Sequence, residues 1–253
     1  MLKIYNIIFV YFLITFLSSC SSVRPAGKTE AEVLYKEAVE LMSDKRYILA
    51  TEKLNTLRSQ YPYSFYATHA ELMQADILFK QENFIEAASA YILFKDFHPK
   101  HEKLAYVINQ IGESFYKQLP STIDRDLTPA QEAIKYYDEL LRVFPSSEFA
   151  KSAQEKMTDC QSRLEAREKY IADFYFKTKV YDAALFRYQD ILKNFKTPEL
   201  RDHCMLRIAQ ASMRTKNYIE CVKYAQQFIG EIQSPQSKKE LQSLENECTM
   251  KSK

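Results

Sequence analysis

The 253-residue chain carries 35 basic against 33 acidic residues, a balance that excludes a broad basic surface for nucleic acid. Only 3 glycines and 8 prolines accompany 18 tyrosines and 16 phenylalanines, which is too few turn residues for a β-rich fold of this length. An all-α chain is predicted, its interspersed charges solvating the outer faces of amphipathic helices.

The first twenty residues read as targeting. Lys3 precedes an apolar stretch from Ile4 to Leu17, short for a bilayer span and suited to a signal h-region. It ends in Leu17-Ser18-Ser19-Cys20, which resembles a bacterial lipobox and predicts residues 1–19 as a lipoprotein signal peptide and Cys20 as the lipidated residue. An ordinary secretory signal with an incidental cysteine is the alternative. Ser21 stands where an aspartate would resemble an inner-membrane retention signal, which predicts an outer-membrane destination. Residues 20–28 form a short tether, and Thr29-x-x-Glu32 has the pattern of a capping box opening the first helix.

From there a period of small residues takes over. Ala38, Ala75 and Gly112 lie 37 apart, as do Ala172 and Ala209. Ala50, Ala87, Ala184 and Cys221 follow twelve residues after their partners, and Ala133 follows Gly112 after 21. Leu54, Tyr91, Tyr137 and Tyr188 come one helical turn later, with Ala225 in the last unit, and Pro62, Pro99 and Pro145 close the first three. Small residues on two antiparallel helices allow close backbone approach, the large residue fills the groove beside them, and proline stops the second helix. Such pairs must stack to bury their remaining apolar face. The third unit, Ile108-x-x-Ile111-Gly112-x-x-Phe115 then Ala133-x-x-x-Tyr137, resembles the tetratricopeptide (TPR) signature. The predicted fold is an all-α, TPR-like superhelical solenoid of about five helix pairs.

Two interruptions break the period. Nine extra residues, Leu119 to Leu127, precede Thr128-Pro129, where Thr128 is the expected N-cap and Pro129 the first helical residue. A loop of this length hints at a role beyond connection, though a tolerated surface insertion reads equally well. Between Pro145 and Ala172 lie 27 residues where other units have 13, and Ser147 to Lys177 contains no Gly or Pro, which predicts one long helix. The expected organisation is residues 29–146 as repeats 1–3, residues 147–235 as the long helix with repeats 4–5, and residues 236–253 as a polar tail, either a solubilising cap or a disordered end.

Several segments together resemble BamD-type lipoproteins: Tyr61-Pro62-Tyr63-Ser64-Phe65-Tyr66-Ala67 closing the first repeat, Ile123-Asp124-Arg125-Asp126-Leu127-Thr128 in the insertion, Phe144-Pro145-Ser146-Ser147 ending the third repeat, and Ala183-Ala184-Leu185-x-Arg187-Tyr188 in the fourth. With the lipobox and long helix, the resemblance spans essentially the whole chain. It implies a scaffold of the outer-membrane assembly machine, lipid-anchored and facing the periplasm. Its implied partners are a BamA-like barrel insertase, other machine subunits and unfolded outer-membrane protein precursors. Asp124, Arg125, Asp126, Arg187 and Lys193 become candidates for contact with the insertase. A TPR lipoprotein scaffolding cell-wall enzymes or a secretion apparatus is the alternative.

In TPR folds the first helix of each pair lines the concave face. The positions three before, one after and four after each small residue share one stripe. This gives Tyr35, Val39 and Met42, then Leu72, Asp76 and Phe79, then Asn109, Glu113 and Tyr116 as a candidate groove for an extended peptide. These residues could equally be core, and their exposure decides between the two.

No catalytic constellation, cofactor or metal motif emerges, and no enzymatic activity is expected. His98-Pro99-Lys100-His101 cannot put both imidazoles on one helical face, and glycine is too sparse for a phosphate-cradling loop. An extracytoplasmic address permits disulfides, but Cys160, Cys204, Cys221 and Cys248 follow no disulfide framework, Cys221 occupies a packing position, and no pairing is assigned from the sequence.

Overall fold

The computed structural model describes residues 25–253; the signal peptide and Cys20 lie outside that range. The described residues form eleven α-helices. These are α1 (Glu30–Ser43), α2 (Tyr47–Gln60), α3 (Phe65–Lys80), α4 (Phe84–Phe97), α5 (Leu104–Lys117) and α6 (Thr128–Val143), followed by α7 (Ala150–Lys177), α8 (Tyr181–Asn194), α9 (Pro198–Arg214), α10 (Tyr218–Phe228) and α11 (Pro235–Lys251). No described helix is long and apolar enough to cross a membrane. The chain divides into two compact units, one ending at Asn83 and one from Phe84 to Lys253.

In the first unit α1 packs on α2, with Ala38, Ala50, Leu54 and Leu57 buried together and Ala67, Ala70 and Ile77 of α3 in the same cluster. Thr29 caps α1 by accepting the Glu32 N–H at 3.2 Å, while the Glu32 carboxylate turns back one residue further than a capping box requires, onto the Lys28 N–H at 2.8 Å.

In the second unit successive helices pack as neighbours from α4 to α11. At the α5–α6 contact, a Cβ on Gly112 would stand 2.6 Å from the Tyr137 ring, so only glycine fits there. Ala172 against Ala184 and Tyr188, and Ala209 with Cys221 and Ala225, repeat the arrangement in the α7–α8 and α9–α10 pairs. Every predicted small position is buried.

The turns between paired helices follow the same period. Lys45, Glu82, Lys179 and Lys216 have φ of 59°, 62°, 66° and 62°, each seven residues after its small residue. Each turn closes with the following N–H bonded back to the preceding helix, as in Val180 N–H to the Tyr175 carbonyl at 2.9 Å. Lysine and glutamate thus take the left-handed position usually given to glycine. The third unit lacks this turn: Leu119, seven residues after Gly112, is not among the left-handed residues, and the insertion begins there.

α6 starts one residue earlier than expected. Thr128 is its first residue, and the Asp126 carboxylate receives both the Thr128 N–H (3.0 Å) and hydroxyl (2.7 Å). The long helix is present as α7, 28 residues.

At the C-terminus the structure decides two points that spacing leaves open. The polar tail is helix α11, which buries Leu241, Leu244 and Cys248. The segment leading into it is pinned by Asp202 of α9, whose carboxylate accepts the Gln233 and Ser234 N–H groups (2.6 Å to Ser234). Cys221 and Cys248 form a disulfide across 27 residues, fixing α11 to α10. The two Cα atoms lie 6.2 Å apart; sequence spacing alone carries no such information. Cys160 and Cys204 are free and buried, and burial pushes their thiols up to about 11 and about 12. Neither is a thiolate at neutral pH.

Candidate partner-binding surfaces

In the first unit, α1 presents Tyr35, Val39 and Met42. Val39 is 42% exposed and the other two are half-buried. On α3, Asp76 and Phe79 are half-buried, but Leu72 is only 4% exposed and belongs to the core. Burial first, and then the nearby Asp76 carboxylate, pushes the Tyr35 phenol above its ordinary range, so these two candidates share one neighbourhood. The Tyr35 ring also lies 5.5 Å from Tyr66 and edge-on to His69 at 6.0 Å. The Phe65 ring lies 4.2 Å from His69, tilted by 42°, while remaining 71% exposed. The accessible aromatic set therefore extends from Tyr35 through Tyr66 and His69 to Phe65. Spacing from the small residue does not reach the last three; the run of aromatics after Pro62 is the sequence signal that marks them.

In the second unit, α5 keeps only one of its three candidates accessible. Asn109 (7% exposed) and Glu113 (9%) are buried, and Tyr116 is half-buried. The cause for Glu113 is α7, which lies against α5. Lys156 of α7 pairs with the Glu113 carboxylate, and the Tyr137 hydroxyl donates to it at 3.0 Å. Asn109 has its Oδ1 buried without a hydrogen-bond partner. Tyr116 donates to Asp159 of α7 at 3.0 Å, with the Lys156 ammonium 5.6 Å over its ring.

The carboxylate and tyrosine recur one unit later, beyond the candidate stripe. Asp173 follows Ala172 as Glu113 follows Gly112, and it receives the Tyr188 hydroxyl (2.5 Å) with His203 Nε2 at 2.7 Å on the same oxygen. Lys169 binds its other oxygen. Burial alone would raise the Asp173 carboxyl, but hydrogen bonds from His203, Lys169 and Tyr188 outweigh it and hold the group well below the usual carboxylate range. The two phenols, Tyr137 and Tyr188, are pushed far up, first by burial and then by their carboxylate partners. These clamps tie paired helices together; they are architecture, not chemistry.

Asp124, Arg125 and Asp126 are exposed on the insertion. Asp124 is held low by a hydrogen bond from Thr122, and Asp126 by the Thr128 N–H and hydroxyl. On α8, Arg187 faces Glu168 of α7 at 3.8 Å, while Lys193 is exposed in the last turn. Six residues apart on a helix, they point about 120° away from each other. The structure does not bring them to one spot. Among the described residues, no group of three or more His, Cys, Asp or Glu is placed to hold a metal ion.

A family model described as an outer membrane lipoprotein, YfiO, matches residues 28–211, most of the chain. The chain belongs to the YfiO family. It is 26% identical over 210 residues to the outer membrane protein assembly factor BamD of Rickettsia prowazekii, covering 82% of this chain and 83% of that one. The BamD of Vibrio cholerae is 26% identical over 205 residues, covering 74% and 85%. Among solved structures, the TPR2AB domain of yeast Sti1 in complex with pHSP90 covers 88% of this chain and all of its own, at 12% identity and a TM-score of 0.43. The YfiO match takes in all of α1 to α8, and with them the insertion and the clamps.

Proposed function

We propose that this YfiO-family chain is a non-catalytic lipoprotein scaffold of outer-membrane β-barrel assembly. The observation that carries the reading is the likeness, over most of both chains, to relatives named as outer membrane protein assembly factors. In this reading Cys20 bears the lipid and the helices face the periplasm. A BamA-like insertase, with other machine subunits, engages the exposed Asp124, Arg125 and Asp126 of the insertion and the cations of α8. Lys193 is the freer of those cations, since Arg187 already faces Glu168. Unfolded precursors offer extended strands with alternating apolar side chains. Tyr35, Val39, Met42, Asp76 and Phe79 of the first unit and Tyr116 of the second are the accessible residues that suit such a ligand.

The test is photo-cross-linking from Tyr35 or Phe79 to a peptide copying the last strand of an outer-membrane barrel. Exposed Glu52 on α2 serves as the reference position. Labelling no stronger than from Glu52 removes the precursor role. In parallel, reversing Arg187 and Lys193 to glutamate is expected to reduce co-purification of the insertase with the fold intact, and Cys20→Ala to abolish membrane retention. Undiminished co-purification would withdraw the α8 contact.

A further inference from the structure

Within the second unit, one chain of side chains connects the accessible member of the α5 stripe to the insertion. The Tyr116 hydroxyl donates to Asp159 Oδ2 at 3.0 Å. Arg163, one turn further along α7, donates Nε–H to the same oxygen at 2.9 Å. Its terminal Nη1 reaches the Pro120 carbonyl, at the start of the insertion, at 3.2 Å. One more turn along, Arg167 lies close enough to Asp126 to contribute to holding its carboxyl low. The insertion is therefore hydrogen-bonded to α7 at its start, with the charge of Arg167 toward its far end.

The geometry of Arg163 is the informative part. Its planar guanidinium sends donors in two directions, one to a carboxylate and one to a backbone carbonyl, and its plane is set by Asp159. Asp159 is in turn held by Tyr116. A half-exposed ion pair between residues four apart on a helix adds little stability, so what this arrangement supplies is orientation. A ligand that takes over the Tyr116 hydroxyl or shifts its ring frees Asp159 to rotate, and the Arg163 bond to Pro120 goes with it.

We infer that Arg163 is a positioning residue for the insertion, and that Tyr116 and Asp159 couple the pose of residues 119–127 to occupancy of the α5 stripe. The coupling rests on the reading above that Tyr116 meets precursor strands and that the insertion meets the insertase. It assigns to Arg163, a residue outside both candidate sets, the task of making one event felt at the other.

The experiment follows amide exchange of the 119–128 segment by mass spectrometry in the full-length protein, alongside its affinity for the periplasmic domains of the insertase. Arg163→Lys is expected to speed exchange of that segment about fivefold with α8 to α11 unchanged, because an ammonium cannot serve both acceptors. Tyr116→Phe deletes one oxygen, spares the packing and is expected to act in the same direction. A saturating peptide copying the last strand of an outer-membrane barrel should loosen the segment in the unmodified protein and add nothing in Arg163→Lys. Unchanged exchange in both variants overturns the inference. A peptide that binds without moving the segment, or that moves it equally in Arg163→Lys, overturns the coupling. A combined Asp124→Ala and Arg125→Ala variant separates the two readings. If it leaves insertase affinity intact while Arg163→Lys still frees the segment, the insertase contact falls and the positioning role stands. If it weakens affinity while Arg163→Lys leaves exchange and affinity unaltered, the positioning role falls.

Discussion

At Gly112 a single methyl group has nowhere to go. Its Cβ would meet the Tyr137 ring at 2.6 Å, and that ring is fully buried with its hydroxyl bonded to Glu113, so it cannot swing aside. Gly112→Ala is expected to destabilise the protein by about 1–3 kcal/mol through overpacking, read as a lowered thermal midpoint. An unchanged midpoint would mean that α5 and α6 separate more easily than their contact indicates. Asp173 is expected to govern behaviour in acid. Its carboxyl is depressed in the folded state, so its stabilisation is present above the unfolded value of about 3.9 and is lost as pH falls below it. Asp173→Asn should therefore flatten the fall in stability in acid below about pH 4. An acid-unfolding curve as steep as the wild type's would remove Asp173 from that role. The packing residues were legible from their spacing because little besides repeated helix contact holds small side chains to a fixed period. The clamps were not. An acid one residue after a small one reads as an ordinary helix charge until the tyrosine above it is seen to be buried.

The helix pairs were legible as elements, whereas their turns and the last helix were not. Lys45, Glu82, Lys179 and Lys216 occupy left-handed backbone without being glycine, so these turns lack the residue that usually marks them. Lys179→Gly is expected to raise stability by about 0.5–1 kcal/mol, relief of the Cβ clash being offset in part by unfolded-state entropy. A lower thermal midpoint would show that the lysine side chain contributes more than its backbone costs. α11 is hard to read from sequence because its buried set is small: Leu241, Leu244 and Cys248 among 17 residues, the rest polar apart from Pro235 and the exposed Met250. So little apolar surface leaves the disulfide and Asp202 with much of the task of docking it. Closing a loop of this size is worth about 3.6 kcal/mol. Cys248→Ser is expected to accelerate amide exchange across residues 235–251 before it affects α5 to α8. Uniform acceleration throughout the second unit would contradict a local fastening. The insertion was located correctly by its excess length, but the two arginines of α7 that face it could not be found by counting, since charged residues four apart occur on any exposed helix.

Seen whole, the 37-residue period runs through Asn83 without a mark, yet the chain divides there into two compact units. Repeat arrays can open group by group. Amide exchange in denaturant is expected to separate residues 30–83 from residues 84–251 if each compact unit opens as one, and a single concerted transition at every amide would show the division to be geometric only. The candidate surfaces were half legible: side-chain direction follows from helical register, but accessibility depends on what the next helix covers, and α7 covers Glu113. The buried tyrosines have an optical consequence. The chain has no tryptophan, so its ultraviolet emission comes from tyrosine. An excited phenol is a far stronger acid than its ground state, and Tyr137 and Tyr188 each hold theirs against a carboxylate ready to take the proton. In the native protein these two are expected to be dark among the 18 tyrosines, and releasing either clamp is expected to raise the emission, so the parting of α5 from α6, or of α7 from α8, can be followed by the molecule's own glow and without a label.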